Sequence, residues 1–158
     1  MSEVERATGV QRVQSGSPWE DAFGFARAVA AGDRVVVGGT TSFRGSVLHG
    51  EGDPYEQTRV AIANGVEALG AFGLDASHVI RTRVFLTHAR DAEAVGRAHK
   101  EAFDAVRPVT TFAVVTGFVD PRILVEVELE AFDPRSDEHE EALWAAAAQD
   151  LTEESDQS

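Results

Sequence analysis

Two acidic residues near the end of the chain have the spacing of a pair that activates water. Glu126 and Glu128 alternate with Val125, Val127 and Leu129, so a strand here would turn both carboxylates to one face. The carboxylates would then stand ~7 Å apart. At that distance one of them could hold a raised pKa and serve in general acid–base chemistry. The alternative is a pair of salt bridges at a subunit boundary.

Two arginines are candidates for binding an anionic substrate. Arg27 comes two residues after Phe25, and a strand over 22–31 would present both side chains on one face. The alternative for Arg27 is a surface arginine paired with an acid of a strand or of the tail. Arg107 could also reach a cleft, but its place at the end of a predicted helix favours bonding to the free carbonyls there.

Hydroxyl and imidazole groups complete the candidate set. Thr110 and Thr111 could position water or a carbonyl oxygen, and the backbone of Gly39 and Thr40 could offer hydrogen bonds. Ordinary strand threonines are the alternative, because strands favour this residue type. His99 could titrate near neutral pH, but we expect a histidine of a helix surface or an interface.

The sequence predicts neither a metal nor a cofactor. It has no cysteine, and the other histidines lack the spacing of metal ligands. Its glycines do not form a nucleotide-binding fingerprint, since Gly65 and Gly70 fall inside a predicted helix and not after a strand.

Charge and hydropathy exclude several classes of partner. The 158 residues carry a net charge of −13, and nine acids and one arginine fall in 133–158. An acidic chain without a basic stripe is a poor ligand for nucleic acid. Because the sequence contains neither a long apolar run nor an apolar leader segment, we expect no membrane span and a cytoplasmic protein.

The periodicity predicts an α+β fold of order β-β-α-β-α-β-β, a mixed sheet with two helices on one face. Strands are expected at 22–31, 34–40, 78–87, 110–116 and 123–132, and helices at 53–72 and 91–105. Residues 1–17 are expected to form a loosely attached lead-in, and 18–134 the domain. The remainder, 135–158, is expected to be an acidic extension with a short helix at 138–150 and a disordered end.

The order and spacing of these motifs resemble the Rid family, also named YjgF and endoribonuclease L-PSP. Each motif is weak alone, but the series runs from residue 24 to 131 in the family's order. The matching segments are Gly24-Phe25-Ala26-Arg27-Ala28-Val29, Gly32-Asp33-Arg34-Val35, Gly39-Thr40, Gly52-Asp53 through Gln57-Thr58, Val79-Ile80-Arg81-Thr82-Arg83-Val84, His99 through Phe103, Arg107-Pro108 and Val125-Glu126-Val127-Glu128.

The resemblance implies a chorismate-mutase-like homotrimer with clefts between adjacent subunits. It also implies cofactor-free hydrolysis of imines and enamines, such as 2-aminoacrylate, to keto acids and ammonia. In the family an arginine two residues after the position of Pro108 binds the substrate carboxylate. A tyrosine at the position of Phe25, and the second glutamate of the last strand, here Glu128, line the cleft.

Thr110 stands where the family has this arginine, and Phe25 stands where it has the tyrosine. A hydroxyl cannot form the bidentate pair that a guanidinium forms with a carboxylate. Losing such a bond costs ~1.5–3 kcal/mol, or on the order of 10–100-fold in affinity. The chain therefore resembles a branch of the family that lacks the arginine.

The leading hypothesis is a cofactor-free hydrolase or deaminase for a small imine, enamine or related C–N metabolite. In it Glu128 activates water, Thr110 and the Gly39-Thr40 backbone donate hydrogen bonds, and Arg27 orients an anion. The remaining candidates for substrate contact are Phe25, Arg107, Thr111 and Glu126. The alternatives are a trimeric metabolite-binding or regulatory protein without turnover, and a ribonuclease, which the charge of −13 disfavours.

Overall fold

The computed structural model describes residues 4–7, 9–135, 141, 142, 144 and 145. Seven strands form one sheet in the order β1-β2-β3-β4-β9-β7-β8, and β5 and β6 form a separate hairpin. The strands are β1 (Val4–Ala7), β2 (Val10–Val13), β3 (Ala28–Ala31), β4 (Arg34–Thr40), β5 (Phe43–Arg44), β6 (Val47–Leu48), β7 (Val79–Leu86), β8 (Val109–Val114) and β9 (Val125–Phe132).

The helices are α1 (Pro18–Phe23), α2 (Pro54–Gly70) and α3 (Ala92–Phe103), with 3-10 turns at Ala76–His78 and Ala89–Asp91. Local chemistry fixes the start of α2. Asp53 accepts a hydrogen bond from the backbone N–H of Glu56, and Pro54 occupies the first turn. The two long helices pack against each other, and α2 crosses β4 and β9.

The central strand β9 separates a buried face from an open one. Its apolar side chains Val125, Val127, Leu129 and Ala131 are buried on the face that packs against α2, and the residues between them are half-buried on the other face. The alternation of apolar and polar residues in the sequence therefore gives β9 one side that faces the core and one polar side. All the candidate acids of the last strand lie on the open side.

The predicted fold class is confirmed. From β3 onward the long elements follow the expected order, and β7 and β8, which α3 joins, are parallel neighbours. Strand β9 lies between β4 and β7 and is antiparallel to both. A mixed sheet covered by helices on one face is the α+β arrangement that the periodicity indicated.

The expected strand at 22–31 is wrong in its first half. Residues Pro18–Phe23 form a helix, and only Ala28–Ala31 is a strand. Ser17 accepts a hydrogen bond from the backbone N–H of Trp19, and the Glu20 side chain accepts from the backbone N–H of Ser17. This capping box begins the helix.

The lead-in also contains regular structure that the sequence did not predict. Strands β1 and β2 pair with each other, and β2 pairs with β3, so Val10–Val13 extends the main sheet. Val13 belongs to the core at 1% exposure.

At the other end, the expected helix at 138–150 and the disordered last eight residues lie largely outside the described residues. The described residues 141, 142, 144 and 145 are helical, and Trp144 is exposed. Among the described residues, no helix is long and apolar enough to cross a membrane.

Candidate functional site

The carboxylate of Glu126 is the most perturbed acid on the open face. Glu126 is half-buried, and burial raises the pKa of its carboxyl group, an effect that the nearby Arg27 opposes and Glu128 reinforces. Within the described part of the chain, the carboxylate has no hydrogen-bond or salt-bridge partner. A poorly solvated, unpaired carboxylate is a stronger base than an exposed one.

Strand β4 passes directly beside this carboxylate. A methyl group added at Gly39 would lie 2.1 Å from Oε1 of Glu126. The pairing of β4 with β9 is irregular between Val37 and Thr40, which is where the close approach occurs. A side chain at position 39 would therefore displace the Glu126 carboxylate from its place beside β4.

Arg27 is held at the same strand end by several contacts. Its Nη1 donates to the carbonyl oxygen of Gly39 and, at 3.0 Å, to Oγ1 of Thr40. Its Nε lies 3.9 Å from Oε1 of Glu20, and its side chain is 15% exposed. Arg27 is therefore a half-buried cation near Glu126 whose acidic partner, Glu20, lies in α1 and not in a strand or the tail.

Glu20 is a buried acidic neighbour of Arg27 that the sequence did not single out. Its side chain is fully buried, and it accepts hydrogen bonds from the backbone and hydroxyl of Ser15 and from the backbone of Ser17. These donors compensate the buried charge. The pattern of a serine followed three residues later by glutamate could have identified both the helix and this acid.

Phe25 and the two aromatic residues of α1 form an exposed apolar surface. Trp19 and Phe23 stack with their ring centroids 5.2 Å apart. They are 51% and 69% exposed, and Phe25 is 42% exposed. Phe25 directly follows Gly24, the left-handed residue that ends α1. It therefore does not occupy the strand position that the sequence predicted.

Glu128 has an ion-pair partner where Glu126 has none. Its Oε2 lies 3.4 Å from Nη1 of Arg83 on the neighbouring strand. Glu130 likewise lies 3.7 Å from Arg34 and 3.3 Å from Arg81. Glu128 therefore forms a salt bridge with a neighbouring strand of the same chain.

Thr110 and Thr111 point to opposite sides of the sheet. Thr111 aligns with Arg83 and so faces the open side, whereas Oγ1 of Thr82 donates to Oγ1 of Thr110 at 2.6 Å. Thr82 is fully buried and also bonds, at 2.8 Å, to Nε2 of His99. Within one subunit, Thr110 therefore lies on the helix side, away from Glu128.

Arg107 lies between α3 and β8, where the sequence predicted that it would bond to carbonyl groups at the end of the helix. Its Nε donates to the carbonyl oxygen of Asp104 and its Nη2 to the Asp104 carboxylate at 3.0 Å. Its φ of 54° is in the left-handed region. A cleft of about 320 Å³ opens beside it, and its lining is His99, Lys100, Phe103, Asp104, Arg107 and Pro108.

The structure thus brings Arg27, Gly39, Thr40 and Glu126 together, and it places Thr110 and Arg107 elsewhere on the same subunit. Among the described residues, no three histidine or acidic side chains are close enough to hold a metal ion. What remains is a base, a cation and backbone polar groups at one strand end. Such a set can transfer protons and orient a small polar molecule.

This architecture is the chorismate-mutase-like α+β sandwich, with a polar cluster on its open face. The sequence profile of the family described as Endoribonuclease L-PSP matches residues 19–132. The uncharacterized protein SCO2049 of Streptomyces coelicolor is 69% identical over 123 residues, which are 78% of this chain and 92% of the relative. The chain belongs to this family.

Solved structures agree with that assignment. Rv2704 of Mycobacterium tuberculosis, described as a member of the YjgF/YER057c/UK114 family, is 39% identical with a TM-score of 0.71 and covers 78% of this chain and 98% of its own. The protein PA3499 of Pseudomonas aeruginosa is 26% identical with a TM-score of 0.66 and covers 81% of this chain and 95% of its own. Membership of the family supports a function related to small metabolites.

Proposed function

We propose that the protein is a Rid-like, cofactor-free hydrolase or deaminase that acts on a small imine, enamine or related C–N metabolite. One observation carries the proposal: a half-buried carboxylate, Glu126, has a raised pKa and no partner among the described residues, and it lies against the backbone of Gly39. Proteins rarely leave a carboxylate in this state unless it is used.

The chemistry needs a group that takes a proton and then returns it. The Glu126 carboxylate would accept a proton from water as the water oxygen bonds to the imine carbon, and the resulting carboxyl would return that proton to the imine nitrogen, giving a carbinolamine. The carboxylate would then take the hydroxyl proton of the carbinolamine and deliver it to the amino nitrogen as the C–N bond breaks, giving ammonia and a carbonyl compound. A carboxyl with a raised pKa suits both directions of proton transfer.

The same geometry favours Glu126 over Glu128 as the proposed base. The Arg83 guanidinium lies 3.4 Å from Oε2 of the Glu128 carboxylate, whereas the Glu126 carboxylate has no such partner among the described residues. Arg27 and Thr40 would orient the substrate beside Glu126, and Phe25 would cover it with an apolar wall. Thr111 lies on the same open face, two strands away from Glu128.

Assembly as a homotrimer belongs to this proposal. Strand β8 is an edge of the sheet, and its Val109, Phe112 and Val114 are 68%, 37% and 58% exposed. An apolar edge strand of this kind is covered in stable proteins. A ring of three subunits would cover it and bring Thr110 of one subunit towards the open face of the next.

Ammonia release from 2-aminoacrylate and other small imines, generated in situ, tests the proposal. We expect Glu126→Gln to lower kcat/KM at least 100-fold, because the amide cannot accept the proton. Glu128→Gln is the matched control on the same strand and face, and we expect it to keep activity within about threefold. Loss in the control with full activity in Glu126→Gln would refute the assignment.

A second candidate is a metabolite-binding or regulatory protein without turnover. It is favoured by Thr110 in the arginine's place and by the absence of a hydroxyl on Phe25. Saturable binding of a keto acid or its amide, with no ammonia from any imine over hours, would select it. A ribonuclease is disfavoured by the net charge of −13, and RNA binding that weakens steeply with salt would reopen it.

A further inference from the structure

A chain of three hydrogen-bonded side chains runs from α3 to the exposed edge strand. Nε2 of His99 lies 2.8 Å from Oγ1 of Thr82, and Oγ1 of Thr82 lies 2.6 Å from Oγ1 of Thr110. His99 is half-buried, Thr82 is fully buried and Thr110 is exposed. The chain therefore links the interior to a hydroxyl at the surface, at the position where the family has an arginine.

The direction of this chain depends on the tautomer of His99. With the proton on Nε2, His99 donates to Thr82, and the Thr82 hydroxyl donates its single proton to Thr110. Thr110, which accepts from Thr82, has its own proton free to point outward, and hydrogen bonds in series strengthen one another.

The chain is also electrically neutral. Burial lowers the pKa of His99, whose ring contacts Phe103 and Phe112 at centroid distances of 5.0 and 5.7 Å. The imidazole is therefore uncharged at neutral pH. Beside it, the guanidinium of Arg107 is bound to the carboxylate of Asp104.

We propose that the Thr110 hydroxyl, oriented by Thr82 and His99, is a binding subsite for an uncharged hydrogen-bond acceptor: the carbonyl oxygen or imine nitrogen of a small neutral metabolite. This deepens the proposed function by naming its substrate class. Where relatives would bind a carboxylate, this chain binds an amide, ketone or neutral imine. A carboxylate placed at Thr110 would lose water without gaining, at that position, the bidentate cation that an arginine would supply.

Lys100 is the residue that could contradict this inference, since it lines the adjoining cleft. Its ammonium group could attract a carboxylate in place of the missing arginine. Our proposal requires that Lys100 does not determine which ligand binds, so a variant of Lys100 belongs in the test.

Titration calorimetry with pyruvamide and pyruvate tests the subsite. The two ligands are matched, except that pyruvamide has a neutral amide where pyruvate has a charged carboxylate. We expect the wild type to bind pyruvamide at least tenfold more tightly than pyruvate. Thr110→Val should lose about tenfold for pyruvamide, and Lys100→Gln should change nothing. Thr110→Arg should reverse the preference. Equal or tighter binding of pyruvate by the wild type, or no binding of either ligand, would overturn the proposal.

His99 is a positioning residue in this arrangement, and its role has its own readout. His99→Gln keeps an amide donor for Thr82 and should retain the preference for pyruvamide. His99→Phe removes the donor and should lose several-fold in pyruvamide affinity while pyruvate affinity stays constant. A purely structural role would weaken both ligands equally.

Failure of the enzyme and failure of the subsite give different results. Ammonia release is measured with 2-aminoacrylate and with its primary amide. No release from either compound, with the pyruvamide preference intact, rejects the hydrolase and keeps the subsite. Faster release from the carboxylate rejects the subsite and keeps the hydrolase.

Discussion

At the residue scale, two glutamates on one strand differ because of what lies across from them. Glu128 faces Arg83 and is neutralised, whereas Glu126 faces a strand end with two glycines and keeps an unpaired charge. The difference of one strand position therefore separates a structural ion pair from a candidate base. The same contrast gives a prediction on the pH dependence of the reaction.

Activity should depend on ionisation of Glu126. Because burial raises the pKa of this carboxyl, kcat/KM should fall on the acid side below an apparent pKa that is higher than the ordinary 4.5 of a glutamate. A pH–rate profile measures this value. The Glu128→Gln profile should be shifted slightly downward in pKa, since Glu128 contributes to the raised value. A wild-type midpoint at or below 4.5 would contradict the assignment.

His99 should make stability depend on pH in a defined direction. Its folded pKa lies below the ordinary 6.5, so the unfolded chain binds more protons as the pH falls. Its contribution to stability is complete above pH 6.5 and is lost as the pH falls towards the lowered value. In urea unfolding at pH 7.5 and 5.5, His99→Gln should lose less stability than the wild type. His49→Gln, which removes an exposed histidine, should behave like the wild type.

At the element scale, the β4 strand end shapes the site through the backbone. Gly39→Ala would place a methyl group 2.1 Å from the Glu126 carboxylate, whereas the same change at Gly38 meets only atoms at 3.6 Å or more. We expect Gly39→Ala to lower kcat/KM at least tenfold and Gly38→Ala to keep most activity. Thermal unfolding verifies that both variants fold. Equal activity of the two would show that the carboxylate is not confined by β4.

Helix α2 offers a second matched pair of glycines. A methyl group at Gly65 would lie 2.8 Å from Cδ1 of Leu129, while one at Gly70 would meet nothing within 4 Å. Gly65→Ala should destabilise the protein by about 1–3 kcal/mol through overpacking. Gly70→Ala should stabilise it by up to about 1 kcal/mol through helix propensity. Chemical denaturation compares them, and a stabilised Gly65→Ala would mean that the two layers are not tightly packed.

Elements with local signals were predictable, and those with competing signals were not. Asp53 and Pro54 begin a helix by their own chemistry, so α2 was predicted to within two residues of its end. By contrast, the alternation of Phe23, Phe25 and Arg27 resembles a strand, although the capping box of Ser17 and Glu20 starts a helix. There, the shorter-range signal determined the structure.

The site was less predictable than the fold because its contacts join distant segments. Arg27 reaches Gly39 and Thr40 across a strand pair, and Thr82 meets His99 from another layer. The sequence placed Glu126 and Glu128 on one face correctly, but only the partner strands distinguish them. Thr110 and Thr111 likewise differ by face alone, which depends on the register of β8 on β7.

At the scale of the whole molecule, the proposed assembly as a homotrimer can be tested directly. A homotrimer should elute with three times the 17.0 kDa of one chain. Val114→Asp places a charge on the exposed apolar edge of β8, so it should dissociate the assembly and abolish activity. Light scattering coupled to gel filtration measures the mass. Ala92→Asp, a matched control in the first turn of α3, should remain assembled, and a monomeric wild type would reject the proposal.

The exposed edge of β8 has a consequence for handling the protein. Among the described residues, its backbone is unpaired on one side and most of its side chains are apolar, so a separated chain presents a ready template for strand addition by any other chain. If neighbouring copies normally shield that template, lowering the concentration would release it. Very dilute samples would then precipitate or adsorb to surfaces sooner than concentrated ones, the reverse of ordinary colloidal behaviour.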